Sequence, residues 1–304
     1  MKSSRLIVAA ITIGIAAVAG ILWTRPVSAA KSDAQNKSSG VDKLYILDCG
    51  VGHSKDQGVG WTNEVNAGKP IDISVSCYLI HHAQGYFLWD TGVSDAVAAM
   101  PDGWLPGNNP NGILWKRART LASQLTQIGI KPSDIRFVGI SHTHPDHIGN
   151  AELFPEVPIL MQADEYDFYF AAGKQGVAIP PGDTKPSLSK QHPIRKLQGD
   201  TDVFGDGSVM LLYTPGHTPG HQVCLVHLPK TGWVVLSGDV VHLQTNWDNR
   251  RIPHFVGMPL EMRLATLASM QRVADILSFY HAQLWINHEK TQSDKQKHSP
   301  EFYN

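Results

Sequence analysis

The sequence predicts an α/β fold in which two β-sheets pack together with helices on the outside. Three observations lead there. Apolar residues make up 42% of the 304 positions and charged residues only 17%, with 27 Gly and 19 Pro, which excludes coiled coil, collagen and bulk disorder. Short apolar runs bounded by turn residues fill both halves of the chain, and each half then passes into helical stretches. No short-period repeat is visible, so residues 41–304 read as a single domain.

Taken in order, the chain opens with Lys2 and Arg5, then 18 uncharged residues from Leu6 to Trp23, then Val27-Ser28-Ala29-Ala30. A basic start, an apolar middle and small residues at the exit describe a secretory signal over residues 1–30, cut after Ala29 or Ala30. The run is also just long enough to remain as a membrane anchor. Both readings place the remainder outside the cytoplasm, periplasmic or secreted. Residues 31–40 are small and polar and form a flexible leader. Strands are expected at Leu44–Leu47, Ser74–Ile80 and Tyr86–Trp89, the last two joined as a hairpin around Ala83-Gln84-Gly85. Leu114, Ala118, Leu121, Leu125 and Ile128 recur at steps of 4, 3, 4 and 3, predicting a helix over Ile113–Ile128 that Gly129 stops.

A strand at Arg136–Ser141 leads into a dense polar segment, followed by a short strand at Val157–Met161 and a helix at Ala163–Ala172. Gly173–Gln191, rich in Gly, Pro and Lys, reads as a surface insertion. Strands follow at Val209–Tyr213, Gln222–His227 and Trp233–Leu236. A helix starts at Pro259 with Leu260, Leu264, Leu267, Met270, Ala274 and Leu277 on one face. A last strand, Leu284–Ile286, ends at His288.

Charge and cysteine content narrow the function classes. Lys and Arg number 26 against 27 Asp and Glu, and removing Lys2, Arg5 and Arg25 leaves 23 against 27, a net of −4. No basic excess points to nucleic acid. Cys49, Cys77 and Cys224 lack a CxxC spacing; one pair among them can form a disulfide, and the spacing leaves open which. Fifteen His is a high count and a first hint of metal.

The chemistry concentrates in Ser141-His142-Thr143-His144-Pro145-Asp146-His147. In extended chain His142 and His144 point to one side, so both imidazoles can hold one ion. Pro145 turns the chain and lets Asp146 and His147 approach from another direction. Four ligand-type residues in so short a segment suggest two adjacent metals. Further ligand-type residues stand where apolar strands run out: His217 beyond Tyr213, Asp239 beyond Leu236, and His288 beyond Ile286. Singly each is an ordinary turn residue; jointly they complete a metal set.

These residues resemble the metallo-β-lactamase superfamily, whose H-x-H-x-D-H signature reads here from His142 to His147 and continues in order through His217, Asp239 and His288. The resemblance implies a four-layer αββα sandwich with a two-metal site at one edge. It implies that His142, His144 and His217 hold one ion, that Asp146, His147 and His288 hold the other, and that Asp239 bridges both. Asp90, in Trp89-Asp90-Thr91-Gly92, matches a further family position that orients a ligand His. Ligands of His and carboxylate type without Cys favour two Zn2+ ions, with manganese, cobalt or iron also compatible. The implied chemistry is hydrolysis by a metal-bridging hydroxide, with Asp146 moving a proton to the leaving group.

Within the superfamily, particular residues sort the substrates. True β-lactamases place Cys, Ser or another non-bridging residue where Asp239 stands, which disfavours a lactam; His144 argues against the flavo-diiron proteins, which carry an acid there. Ser76-Cys77-Tyr78-Leu79-Ile80, Leu88-Trp89-Asp90-Thr91-Gly92, Asn249-Arg250-Arg251-Ile252-Pro253 and Leu284-Trp285-Ile286-Asn287-His288 resemble the acyl-homoserine lactonase family. Many such lactonases have a Tyr three residues after the bridging Asp that contacts the substrate carbonyl; here that residue is His242, whose imidazole can donate the same bond. Gly238-Asp239-Val240-Val241-His242 is closer to the exported methyl parathion hydrolases. The expected function is therefore hydrolysis of a small-molecule lactone or ester, with phosphotriester hydrolysis second and a non-catalytic metal-binding scaffold third. Membrane association is expected only if the N-terminal segment stays uncleaved, and the sequence leaves oligomeric state open. Of the remaining candidates, His221 reads as fixing its turn, His81-His82 as surface, Arg250-Arg251 as a solvated pair, and Trp61, Trp104 and Trp115 as packing residues able to wall an apolar pocket.

Overall fold

A computed structural model describes residues 40–58, 61, 66–108, 112–171, 180–181, 187–252 and 258–304. The expected signal, nearly all of the leader, most of the 173–191 insertion and Pro253 lie outside them. The first sheet is built from β1 (Val41–Ser54), β2 (Ile71–His82), β3 (Gly85–Trp89), β4 (Leu114–Lys116), β5 (Ile135–Gly139), β6 (Ile159–Gln162) and β7 (Ile194–Leu197), in the order β4-β1-β2-β3-β5-β6-β7. The second holds β8 (Thr201–Asp202), β9 (Val209–Tyr213), β10 (Gln222–Leu228), β11 (Gly232–Leu236) and β12 (Gln283–Trp285), in the order β12-β11-β10-β9-β8. Both sheets are mixed: β3, β5, β6 and β7 run parallel, as do β11 and β12, and the other pairs are antiparallel. The helices are α1 (Leu121–Gln127), α2 (Pro145–Ile148), α3 (Ala163–Phe170), α4 (Gln244–Asp248), α5 (Leu260–Tyr280) and α6 (Lys290–Ser293). None among the described residues is long and apolar enough to cross a membrane.

Three apolar layers separate the four structural ones. Alternate residues of β2 divide between two of them: Val75, Cys77 and Leu79 face α1 and α3, whereas Tyr78 and Ile80 face the second sheet. Strand β10 does the same, with Cys224, Val226 and Leu228 between the sheets and Val223 and Leu225 against α5. Both faces of these strands are covered, which is why they read as continuous apolar runs. The predicted arrangement of two packed sheets with outer helices is the one observed.

Three expectations are corrected. The helix expected over Ile113–Ile128 forms only from Leu121, capped by the Thr120 side chain. Its first part is β4, paired to Val51–His53 of β1, and Arg117 turns inward to donate to the carbonyls of Cys49 and Val93 and pair with Asp95. On α5, Leu260, Leu264 and Leu267 are 64%, 56% and 38% exposed, while Thr266, Ser269, Met270 and Val273 are buried. The helix is turned because Ser269 Oγ donates to the Pro215 carbonyl and the backbone at Thr266 lies against Gly216. His82 is buried rather than surface, stacked 3.9 Å from Phe204 and held 2.9 Å from Asp206.

The structure also closes the cysteine question. Cys49 is the extra residue of a bulge in β1, between the pairs Asp48↔Ser76 and Gly50↔Val75, and it forms a disulfide with Cys77 of β2. Cys224 is a free, buried thiol.

Candidate metal centre

The ligand-type residues named from the sequence sit on the loops and the short helix that follow strand ends, and the two sheets bring those ends to one edge. Beyond β3, Asp90 takes a left-handed backbone (φ 57°). Its Oδ1 accepts from the Ser141 N–H, and its Oδ2 accepts from Ser141 Oγ and faces His147 Nδ1 at 2.8 Å. The His147 Nδ1–H therefore donates to Asp90, leaving Nε2 directed at the centre. His144 stands at the N-cap position of the short α2, Pro145 occupies its first turn, and Asp146 and His147 follow within that turn. His217 lies on the loop from β9 to β10, where a Cβ on Gly216 would meet the Thr266 nitrogen at 2.2 Å. Glycine is what lets this loop press against α5. His288 follows β12, and its Nδ1 donates to the Ser74 carbonyl of β2 at 2.8 Å, again freeing Nε2.

Two groups result. In one, His142 Nε2, His144 Nδ1 and His217 Nε2 lie 2.9–3.1 Å from one another, with Asp239 Oδ2 3.4 Å from His217 and 3.7 Å from His142. In the other, Asp146 Oδ2 is 3.6 Å from His147 Nε2 and 3.5 Å from His288 Nε2. Asp239 Oδ1 lies 3.2 Å from both of those imidazole nitrogens. One carboxylate thus presents an oxygen to each group.

The donor set suits two divalent cations. His142, His144 and His217 are held below the ordinary imidazole pKa, His142 and His217 well below, chiefly because burial disfavours a charged ring. Three neutral rings turning lone pairs on one point repel one another unless a cation sits among them; three nitrogens on one tetrahedral zinc are about 3.3 Å apart. Burial also opposes charge on His147 and His288, but Asp239 and Asp146, with Asp90 for His147, outweigh it and raise both pKa values. Asp239 is desolvated too, yet His288, His147, His242 and His142 hold it well below the usual carboxylate range. His147 Nε2 and Asp239 Oδ1 are buried without a hydrogen-bond partner, as atoms reserved for a ligand would be.

The neighbours differ in what the sequence revealed. His221 stays out of both groups: its Nε2 accepts from the Asp239 N–H, its Nδ1 donates to the Thr214 carbonyl, and burial pushes its pKa down to about 3. His242 is 2% exposed, with Nε2 3.2 Å from Asp239 Oδ2 and its ring between Trp61 and His217. Trp61 also meets the His288 ring edge-on, and its carbonyl accepts from Asn246, so it covers the centre. Trp115, within β4, and Trp104, bridged to it, are packed in the core. Arg250 packs over Trp247 and donates to the Met270 carbonyl, so it is not merely solvated. Sequence reasoning missed Ser74 and Ser141, because a Ser in or beside an apolar strand carries no mark of the His it will orient.

Comparison with known proteins adds an independent line. A family model for the metallo-beta-lactamase superfamily matches residues 71–278. The AttM N-acyl homoserine lactonase of Azorhizobium caulinodans is 30% identical over 268 residues, covering 86% of this chain and 98% of that protein. An N-acyl homoserine lactonase of Bacillus cereus is 29% identical over 265 residues, covering 86% and 99%. A solved N-acyl homoserine lactone hydrolase, with N-hexanoyl-L-homoserine bound at its catalytic metal center, matches at a TM-score of 0.73 and 26% identity, covering 86% of this chain and 99% of that one.

Proposed function

Because the chain belongs to the metallo-beta-lactamase superfamily, we propose that it is an exported binuclear hydrolase that opens N-acyl homoserine lactones or related lactone esters. The observation that carries this reading is the pair of ligand groups sharing Asp239, in a chain whose full-length relatives are named for that reaction. His142, His144, His217 and Asp239 would hold one ion, and Asp146, His147, His288 and Asp239 the other, with Zn2+ the simplest occupant. When bound, such ions supply Lewis-acid polarisation of the carbonyl and a water made acidic enough to react near neutral pH.

The protein's own residues do the rest. Ring opening adds water across the acyl C–O bond, and the departing ring oxygen needs a proton. Asp146, the ligand-type carboxylate with an exposed edge, is placed to hold that proton and pass it on (its side chain is 11% exposed against 4% for Asp239). His242 Nε2, 3.2 Å from Asp239 Oδ2, would donate to the substrate carbonyl. Trp61, edge-on to the His242 and His288 rings, would cover the centre and help to exclude water from it.

Purified, zinc-supplemented protein is expected to carry close to two divalent ions per chain and to hydrolyse homoserine lactones faster than aryl esters or paraoxon-like phosphotriesters. The second reading, phosphotriester hydrolysis, is favoured by His242 standing where a lactonase Tyr would be. A reversed substrate order establishes it. One ion or none by elemental analysis sinks the binuclear centre, and two ions with no turnover on any class leaves a metal-binding scaffold.

Export is proposed on two grounds. Lys2 and Arg5 before the apolar run have the order of a signal, and the Cys49–Cys77 disulfide belongs to an oxidising compartment. Closing that loop is worth about 3–4 kcal/mol. Protein isolated without reductant is expected to begin near Ala30 or Lys31 and to show one titratable thiol in denaturant, Cys224, rising to three after reduction. An intact Met1 in the membrane fraction would indicate an anchor instead, and three thiols without reductant would contradict export.

A further inference from the structure

Glu165, on the first turn of α3, is fully buried, yet among the described residues no ion pair explains it. Its Oε1 accepts from the Thr143 N–H at 2.7 Å and from Thr143 Oγ1 at 2.6 Å. Its Oε2 accepts from Thr218 Oγ1 at 2.6 Å and from the Gly220 N–H at 3.1 Å. Thr143 stands between His142 and His144, and Thr218 directly follows His217. One carboxylate therefore ties the loop beyond β5 to the loop between β9 and β10, and these two loops supply all three imidazoles of the first group. The close fit extends to the backbone, since a Cβ on Gly220 would meet the Glu165 nitrogen at 2.1 Å.

We propose that Glu165 is a positioning residue for the three-histidine ion, a strut whose two oxygens set the spacing of His142 and His144 relative to His217. It touches neither substrate nor ion. The inference rests on the binuclear reading above and deepens it, assigning the strut to one ion and not the other. His147 and His288 are oriented separately, by Asp90 and by the Ser74 carbonyl. The donor pattern makes a carboxylate obligatory. Each oxygen accepts from a backbone N–H, which cannot reverse its role, so an amide of the same size turns its NH2 onto Thr143 N–H or Gly220 N–H whichever way it flips.

Glu165→Gln is therefore the discriminating variant, because it preserves volume and would not disturb a residue that only fills space. Metal affinity is measured by competition with a chromophoric chelator, alongside the cobalt(II) absorption spectrum and the melting of the ion-free protein. Wild type is expected to bind two ions. Glu165→Gln is expected to bind the three-histidine ion about 10–100-fold more weakly, with an altered cobalt spectrum for that ion, and to hold the other unchanged. Equal affinity for both ions, with the ion-free protein folded, overturns the proposal. If Glu165→Gln does not fold, the double variant Thr143→Val/Thr218→Val decides, since it removes two hydroxyl donors and keeps both backbone ones. It is expected to weaken the same ion by a smaller factor, and unchanged affinity rejects the strut. Wild type that binds no pair of ions rejects the binuclear reading itself, and the strut with it. No turnover assay enters, so failure on every substrate leaves the measurement intact.

Discussion

Asp146→Asn is expected to lower kcat by about a hundredfold or more while leaving the fold in place. The substitution keeps the shape of the side chain at the edge of the two sheets, outside all three apolar layers, so little packing is disturbed. It removes a negative oxygen that lies 3.5–3.6 Å from the His147 and His288 nitrogens, and with it the group proposed to protonate the leaving oxygen. Loss of charge should also weaken the ion proposed for that group, so turnover must be read with zinc saturating and ion content measured on the same sample. Circular dichroism should match the wild-type protein. A kcat within about threefold of wild type, with both ions present, would remove Asp146 from proton transfer.

His242→Phe tests the residue on which the two substrate readings divide. Phe retains a flat ring between Trp61 and His217 and loses the nitrogen that lies 3.2 Å from Asp239. If that nitrogen donates to a lactone carbonyl, one oxyanion-type donor is lost, worth about 2.7–4 kcal/mol or a 10²–10³-fold fall in kcat. His242→Tyr, which restores a donor of another shape, should recover much of that loss on homoserine lactones. If phosphotriesters are the substrate, His242 mainly shapes the mouth, and the Phe variant should shift KM or substrate preference with little change in kcat. Unchanged kinetics on every class, at wild-type ion content, would assign His242 no part in the reaction.

A large part of the molecule is legible in its sequence. The ligand-type residues carry their own chemistry, and each stands just beyond an apolar run, so both their nature and their placement at strand ends could be read locally. Strands β9, β10 and β11 agree with expectation nearly to the residue because both of their faces are covered and their apolar runs are unbroken. Edge elements were harder. Strand β4 is three residues long and shares its leucine with a helical period, and β7 buries none of its four residues fully, so neither has a pattern of its own.

What the sequence carried by itself was therefore the layered α/β class and the ligand-type residues His142, His144, Asp146, His147, His217, Asp239 and His288, whose division into two sets came from the family resemblance. What only the tertiary structure decided was orientation. Asp90 and Ser74 select which nitrogen His147 and His288 present, the pairing of β1 with β2 joins Cys49 to Cys77, and the docking of Ser269 on Pro215 turns three leucines of α5 to solvent. Glu165 belongs to the same class, reaching residues 22 and 53 positions away along the chain. The division has one physical cause. Periodicity and side-chain chemistry act over a few residues and leave a local trace, whereas a hydrogen bond between distant loops leaves none at either end until the sheets have brought those ends together.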